Sequence, residues 1–125
     1  MKRLILESWL LLIHFEWLMK FREFHSLHDA VLKEPVRTTT STRLIPKEQL
    51  CRAMDCACVL YVKRVLCLQR SSATTLLLRR HGWKAEMVIG AQLIPFQSHA
   101  WVEVEGIVVN DKPYIPNLYQ VLERC

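Results

Sequence analysis

The chain has 125 residues, 51% of them hydrophobic and 23% charged, with three Gly and five Pro, which is enough apolar chain for one buried core and far from the composition of a disordered or collagen-like protein. A multidomain assembly on one chain is excluded. The net charge of +5 is unevenly spread, because residues 1–82 carry 14 basic and 7 acidic side chains while residues 83–125 carry 3 and 5.

The basic residues fall singly or in pairs along predicted helices, with no aromatic-interleaved basic strand, so nucleic acid is not the expected partner. Met1-Lys2-Arg3 and the apolar run behind it imitate a secretory signal, but Glu7, His14 and Glu16 interrupt the run and no small-residue cleavage site follows. The same interruptions leave no 18-residue uncharged stretch for a membrane span. Five cysteines are an odd number, and none forms a Cys-x-x-Cys pair. The sequence therefore points to a reduced, cytoplasmic setting and gives no metal or cofactor site.

Residues 4–24, rich in Leu, Trp and Phe without Gly or Pro, predict a helix that is apolar around much of its circumference. Such a helix needs cover on more than one side, from the rest of the domain and from another protein in preference to a membrane surface. A polar stretch with Pro35 and the run from Thr38 to Thr42 predicts a connector. The expected division is thus an N-terminal helical segment and linker over 1–46 and a core over 47–125, within a single domain.

A second helix is predicted from Pro46, which suits a first turn, with Glu48 complementing the dipole and Leu50, Met54, Ala57 or Cys58, Tyr61 or Val62, and Val65 on one face. Cys51, Cys56 and Cys58 read as small core or surface residues of that helix. A third helix is expected from Gln69 to about Arg80, stopped at His81-Gly82. Beyond Gly82 the period changes: 85–90 reads as a strand, 95–98 as a turn, 99–104 as a second strand and 107–110 as a third. Helices followed by an antiparallel meander define an α+β layout.

The turn Val104-Glu105-Gly106 reads as a three-residue loop closed by a left-handed glycine. This register sets residue 103 opposite 107, 101 opposite 109, and His99 opposite Asp111, where cross-strand Cβ atoms lie about 4.5–5.5 Å apart. A two-residue loop would instead pair 99 with 112 and turn Asp111 to the other face. A carboxylate beside an imidazole holds one ring nitrogen as donor and leaves the other as base. Cys67 alone among the cysteines falls at a loop-to-helix junction, where free backbone N–H groups and the positive end of the dipole favour thiolate. Spacing alone leaves two readings open, a Cys–His–Asp site or a core thiol with a satisfied histidine and a turn-forming aspartate.

The run Cys67-Leu68-Gln69-Arg70-Ser71, the leucine-rich helix ending at Gly82, the segment Ser98-His99-Ala100-Trp101-Val102-Glu103-Val104 and the segment Val108-Val109-Asn110-Asp111 resemble the leader peptidases of lasso-peptide biosynthesis, small transglutaminase-like cysteine proteases. The resemblance covers about residues 48–120. It implies a transglutaminase-like or papain-like core and a triad of Cys67, His99 and Asp111, with Arg70, Ser71 and Trp101 supporting the site. It also implies cleavage of a leader from a ribosomally made precursor peptide, beside a separate leader-recognition domain protein and a macrolactam synthetase. Two alternatives stand beside it: a transglutaminase-like amidase acting on another substrate, and a non-catalytic interaction subunit that keeps the scaffold.

Overall fold

The computed structural model describes residues 2–21, 24–36, 45–93 and 96–125. The N-terminal apolar run forms α1 (Lys2–Phe21), which buries Leu4, Leu11, Leu12, Phe15 and Leu18 in the core. Each such side chain contributes about 1.5–3 kcal/mol when fully buried. Its other side leaves Leu6, Leu10, Ile13, Trp17 and Phe21 exposed, so the domain covers only part of the circumference.

The stretch expected to be a polar connector begins instead with a second helix, α2 (Phe24–Lys33). Val31 is fully buried, and packing of this kind stabilises a short helix that its local pattern does not announce. Pro35 lies just past its end, where a helix cannot readily continue. The threonine run 38–42 lies outside the described residues.

Pro46 stands immediately before α3 (Lys47–Leu60), in extended conformation. The helix stops at Leu60 rather than continuing to Val65, because Tyr61 turns extended and buries its ring edge-on against Trp9 while its hydroxyl donates to Glu16. The next helix, α4 (Cys67–Arg80), starts two residues before the expected Gln69 and ends at His81. Gly82 adopts a φ of 89°, and Trp83 N–H donates to Leu78 O at 2.9 Å, which closes the helix with a left-handed stop. Although rich in Ser and Thr, α4 is central. Ser72, Thr74 and Thr75 donate to the carbonyls four residues back at 2.7, 2.7 and 2.8 Å, so their hydroxyls are satisfied in an apolar setting.

Four strands follow: β1 (Ala85–Leu93), β2 (Phe96–Val104), β3 (Ile107–Val108) and, after the short α5 (Ile115–Leu118), β4 (Gln120–Arg124). They form one antiparallel sheet in the order β3-β2-β1-β4. Phe96, Gln97 and Ser98, expected in a turn, belong to β2 and pair with Leu93, Gln92 and Ala91; only 94–95, outside the described residues, separates the paired strands. The edge strand β4 was not anticipated. Helices α1, α3 and α4 form the main core with one face of the sheet, and Val88, Trp101 and Ile115 form a smaller core on the other.

The β2–β3 register differs from the expected one. Glu103 pairs with Val108 and Val104 with Ile107, which leaves Glu105-Gly106 as a two-residue loop. Both residues have positive φ, 53° and 78°, the requirement of the mirror-image turn whose twist matches a hairpin. The expected pairs 103–107, 101–109 and 99–111 are therefore absent. Strand β3 also stops at Val108 instead of reaching Asn110.

Candidate active site

The register shift should carry Asp111 away from His99, and Asn110 prevents it. Val109 N–H still donates to Val102 O at 3.0 Å, but Val102 N–H donates to the side-chain Oδ1 of Asn110 at 2.8 Å. Once a side chain replaces the strand carbonyl as acceptor, the main chain is free to leave the ladder, and the alternation of faces ends there. Asp111 turns back, and its Oδ2 lies 2.6 Å from His99 Nε2. The expected contact is present, by a different route from the expected one.

Cys67 is exposed as the first residue of α4, and no side chain caps that helix. Arg70 N–H is the donor to Leu66 O at 2.9 Å, so the preceding N–H groups of the first turn point outward as an anion-favouring end. Cys67, His99 and Asp111 line one cleft of about 220 Å³, together with Arg64, Val65, Arg70, Ser71, Ala100 and Asn110. Because Nε2 of His99 is engaged by Asp111, Nδ1 is the ring nitrogen left for chemistry.

Ser71, one helical turn after Cys67, fixes α4 against β2. Its Oγ donates to Ala100 O at 3.0 Å and accepts from Asn110 Nδ2 at 3.3 Å. Arg70 pairs with Asp55 of α3. Gln69 is buried and donates to Leu12 O at 2.8 Å, so it ties α4 to α1 and is no oxyanion donor. Trp101 is fully buried with its ring 6.1 Å from that of His99, and Tyr119 lies 5.5 Å from the imidazole on ring centroids. Trp101 Nε1–H donates to Glu103 Oε2 at 2.8 Å, and Arg124 pairs with the other oxygen of this buried carboxylate at 3.0 Å, as a buried charge requires. Gly90, opposite His99 on β1, leaves room for Trp101.

Burial pushes the Cys51 thiol up to about 11 and also raises those of Cys58 and Cys125. Partial burial raises the Asp111 carboxyl, but hydrogen bonds from His99 and the Lys112 N–H, with the charges of His99 and Arg70, outweigh it and hold the group below its ordinary value.

Asn110, Tyr119 and Gly90 received no role from the sequence, whereas Arg64, with Lys63, reads there as a cation that favours the Cys67 thiolate. For Asn110 the only signal was its place beside Asp111 in a recognised run. Among the described residues no group of three or more His, Cys, Asp or Glu is placed to hold a metal ion.

A helix presenting a cysteine at its start, packed on an antiparallel sheet whose histidine pairs with an aspartate just beyond the edge strand, is a transglutaminase-like arrangement. A sequence profile of the transglutaminase-like superfamily matches residues 9–124, and the chain belongs to that superfamily. Over 56 residues it is 41% identical to the microcin J25-processing protein McjB of Escherichia coli, a stretch covering 45% of this chain and 27% of that protein. The match bears out the resemblance to lasso-peptide maturation proteins drawn from the motifs, while spanning only about a quarter of the curated relative. No solved structure matches significantly.

Proposed function

We propose that the chain is a cysteine peptidase that removes the leader from a lasso-peptide precursor, with Cys67 as nucleophile, His99 as base and acid, and Asp111 orienting His99. The observation that carries this reading is the 2.6 Å His99–Asp111 hydrogen bond in the cleft that also holds the exposed Cys67.

In this mechanism Asp111 accepts the Nε2 proton of His99 in a hydrogen bond and leaves Nδ1 to take the thiol proton. The Cys67 thiolate adds to the scissile carbonyl carbon, and the oxygen becomes an oxyanion. Outward N–H groups at the start of α4, that of Cys67 first, are the donors for it, each contributing about 3 kcal/mol to the transition state. Collapse of the adduct breaks the C–N bond as His99 Nδ1–H protonates the departing amine, leaving a thioester on Sγ. Nδ1 then takes a proton from water as hydroxide adds to the thioester carbon; collapse of this adduct breaks the C–S bond, regenerates the Cys67 thiolate beside protonated His99 and frees the leader as a carboxylic acid, which loses its proton to solvent.

A name that states processing of microcin J25 supports a precursor peptide as substrate. A separate leader-recognition protein and a macrolactam synthetase are the proposed partners, in the cytoplasm. No described helix is long and apolar enough to cross a membrane. The test is co-expression of the precursor and maturation proteins with wild-type chain or Cys67→Ala. Loss of leader cleavage by a folded variant is expected; unchanged processing would reject the reading.

A further inference from the structure

The cleft at Cys67 adjoins a second depression of about 390 Å³ between the C-terminal half of α1 and the loop before α4, and Arg64 lines both. Leu66 and Gln69, which bracket Cys67 and Leu68 in the chain, also line the second depression, so a peptide lying across the sulfur has a ready path there. Met19 and Leu66 make the path partly apolar, Lys63 there is paired with Glu16, and Lys20 and Arg64 leave it basic.

The local carboxylates do not neutralise it. Glu16 is held by Lys63 at 2.5 Å and by the Tyr61 hydroxyl, Asp111 is held by His99, and Asp55 is held by Arg70. Among the described residues no carboxylate pairs with Arg64, which is exposed, and Lys20 lies over the Phe21 ring at 5.7 Å. An unpaired guanidinium at the junction of two grooves offers a planar, two-pronged donor suited to a carboxylate.

We propose that Arg64 is a specificity residue that takes a carboxylate of the peptide substrate beside the scissile bond. This rests on the reading of Cys67 as nucleophile and adds the substrate class, a peptide carrying an acidic group next to the cut. That group is an acidic side chain flanking the cut, because the removal of a leader leaves no free chain end beside the scissile bond.

The test uses the whole chain and two reagents of similar size, anionic iodoacetate and neutral iodoacetamide, with Cys67 modification followed by mass spectrometry. The iodoacetate-to-iodoacetamide rate ratio at Cys67 should fall by roughly threefold in Arg64→Gln, hold in Arg64→Lys, and fall in high salt. A ratio unchanged in Arg64→Gln overturns the proposal. The source of the carboxylate is read from protection of Cys67 by three blocked peptides, acetyl-Ala-Glu-Ala-amide, acetyl-Ala-Gln-Ala-amide and acetyl-Ala-Ala-Ala with a free end. Arg64-dependent protection by the first supports the side-chain subsite, and protection by the third alone overturns it. Protection by neither beyond the glutamine peptide overturns the subsite. Cleavage of precursor by Cys67→Ala would instead sink the peptidase reading while leaving the anion preference measurable.

Discussion

Asn110 fills the acceptor position that the neighbouring strand's own carbonyl would have taken: its Oδ1 receives the Val102 N–H at 2.8 Å, and its Nδ2 reaches Ser71 Oγ at 3.3 Å. One amide side chain thus ends the ladder, turns Asp111 onto His99, and joins the strand to the helix that carries Cys67.

Replacing Asn110 with Ala lets the ladder continue with the residue-109 carbonyl as acceptor, and alternation then sends Asp111 to the opposite face. We expect precursor cleavage to fall by about 10²-fold through kcat, with KM little changed, and stability to drop by only about 1 kcal/mol. Steady-state kinetics with thermal unfolding checks both; a loss confined to stability would assign Asn110 a structural role alone.

The Asp111 carboxyl is held below the ordinary aspartate value of 3.8. A depressed carboxyl stabilises the fold fully above its unfolded value, and the contribution is lost as pH falls through the lower folded value. The stability difference between wild type and Asp111→Asn should therefore shrink as pH falls below about 4, as read by urea unfolding at a series of pH values. A difference unchanged down into strong acid would mean that the ionised carboxylate adds nothing to the fold.

Gly90 has no room for a side chain. A Cβ there would sit 2.7 Å from Cη2 of Trp101 and 2.9 Å from Cβ of Tyr119, and both rings flank His99. Gly90→Ala should cost about 1–3 kcal/mol in chemical denaturation and lower cleavage through the displaced imidazole. A neutral substitution would show that the aromatic stack adjusts freely.

Arg79 is buried, and among the described residues its guanidinium meets only backbone carbonyls: Ala85 O at 2.9 Å, Cys125 O at 2.7 Å, Glu34 O at 3.4 Å and Val31 O. It joins the end of α2, the start of β1 and the end of β4. Arg79→Met should destabilise by about 3–5 kcal/mol, because several buried acceptors lose their donor together. Equilibrium denaturation measures this, and a loss below about 1 kcal/mol would show that water satisfies those carbonyls.

Much of this was legible where a residue acts through local pattern. The apolar spacing from Leu50 through Ala57, the glycine stop at Gly82, and the cysteine at a helix start all follow from periodicity and capping. The short α2 was not, because its fit depends on Val31 entering a core built mostly by distant residues. Nor was β4, whose pairing with β1 joins residues far apart in the chain. The hairpin register failed on one residue: Glu105 accepts a left-handed conformation with Gly106, and sequence preference alone favoured Gly106 by itself. The side-chain substitution by Asn110 has no periodic signature, so the His99–Asp111 pairing was reached from an incorrect register.

The central claim is that Cys67, His99 and Asp111 act as one unit, and comparing single with double substitutions tests it most directly. Cleavage of the precursor should fall by about 10⁴-fold or more in Cys67→Ala and in His99→Ala, and by little further in the double variant, since residues of one catalytic unit are strongly non-additive. A His99→Ala enzyme that retains cleavage within about tenfold of wild type, or losses that multiply in the double variant, would contradict the account.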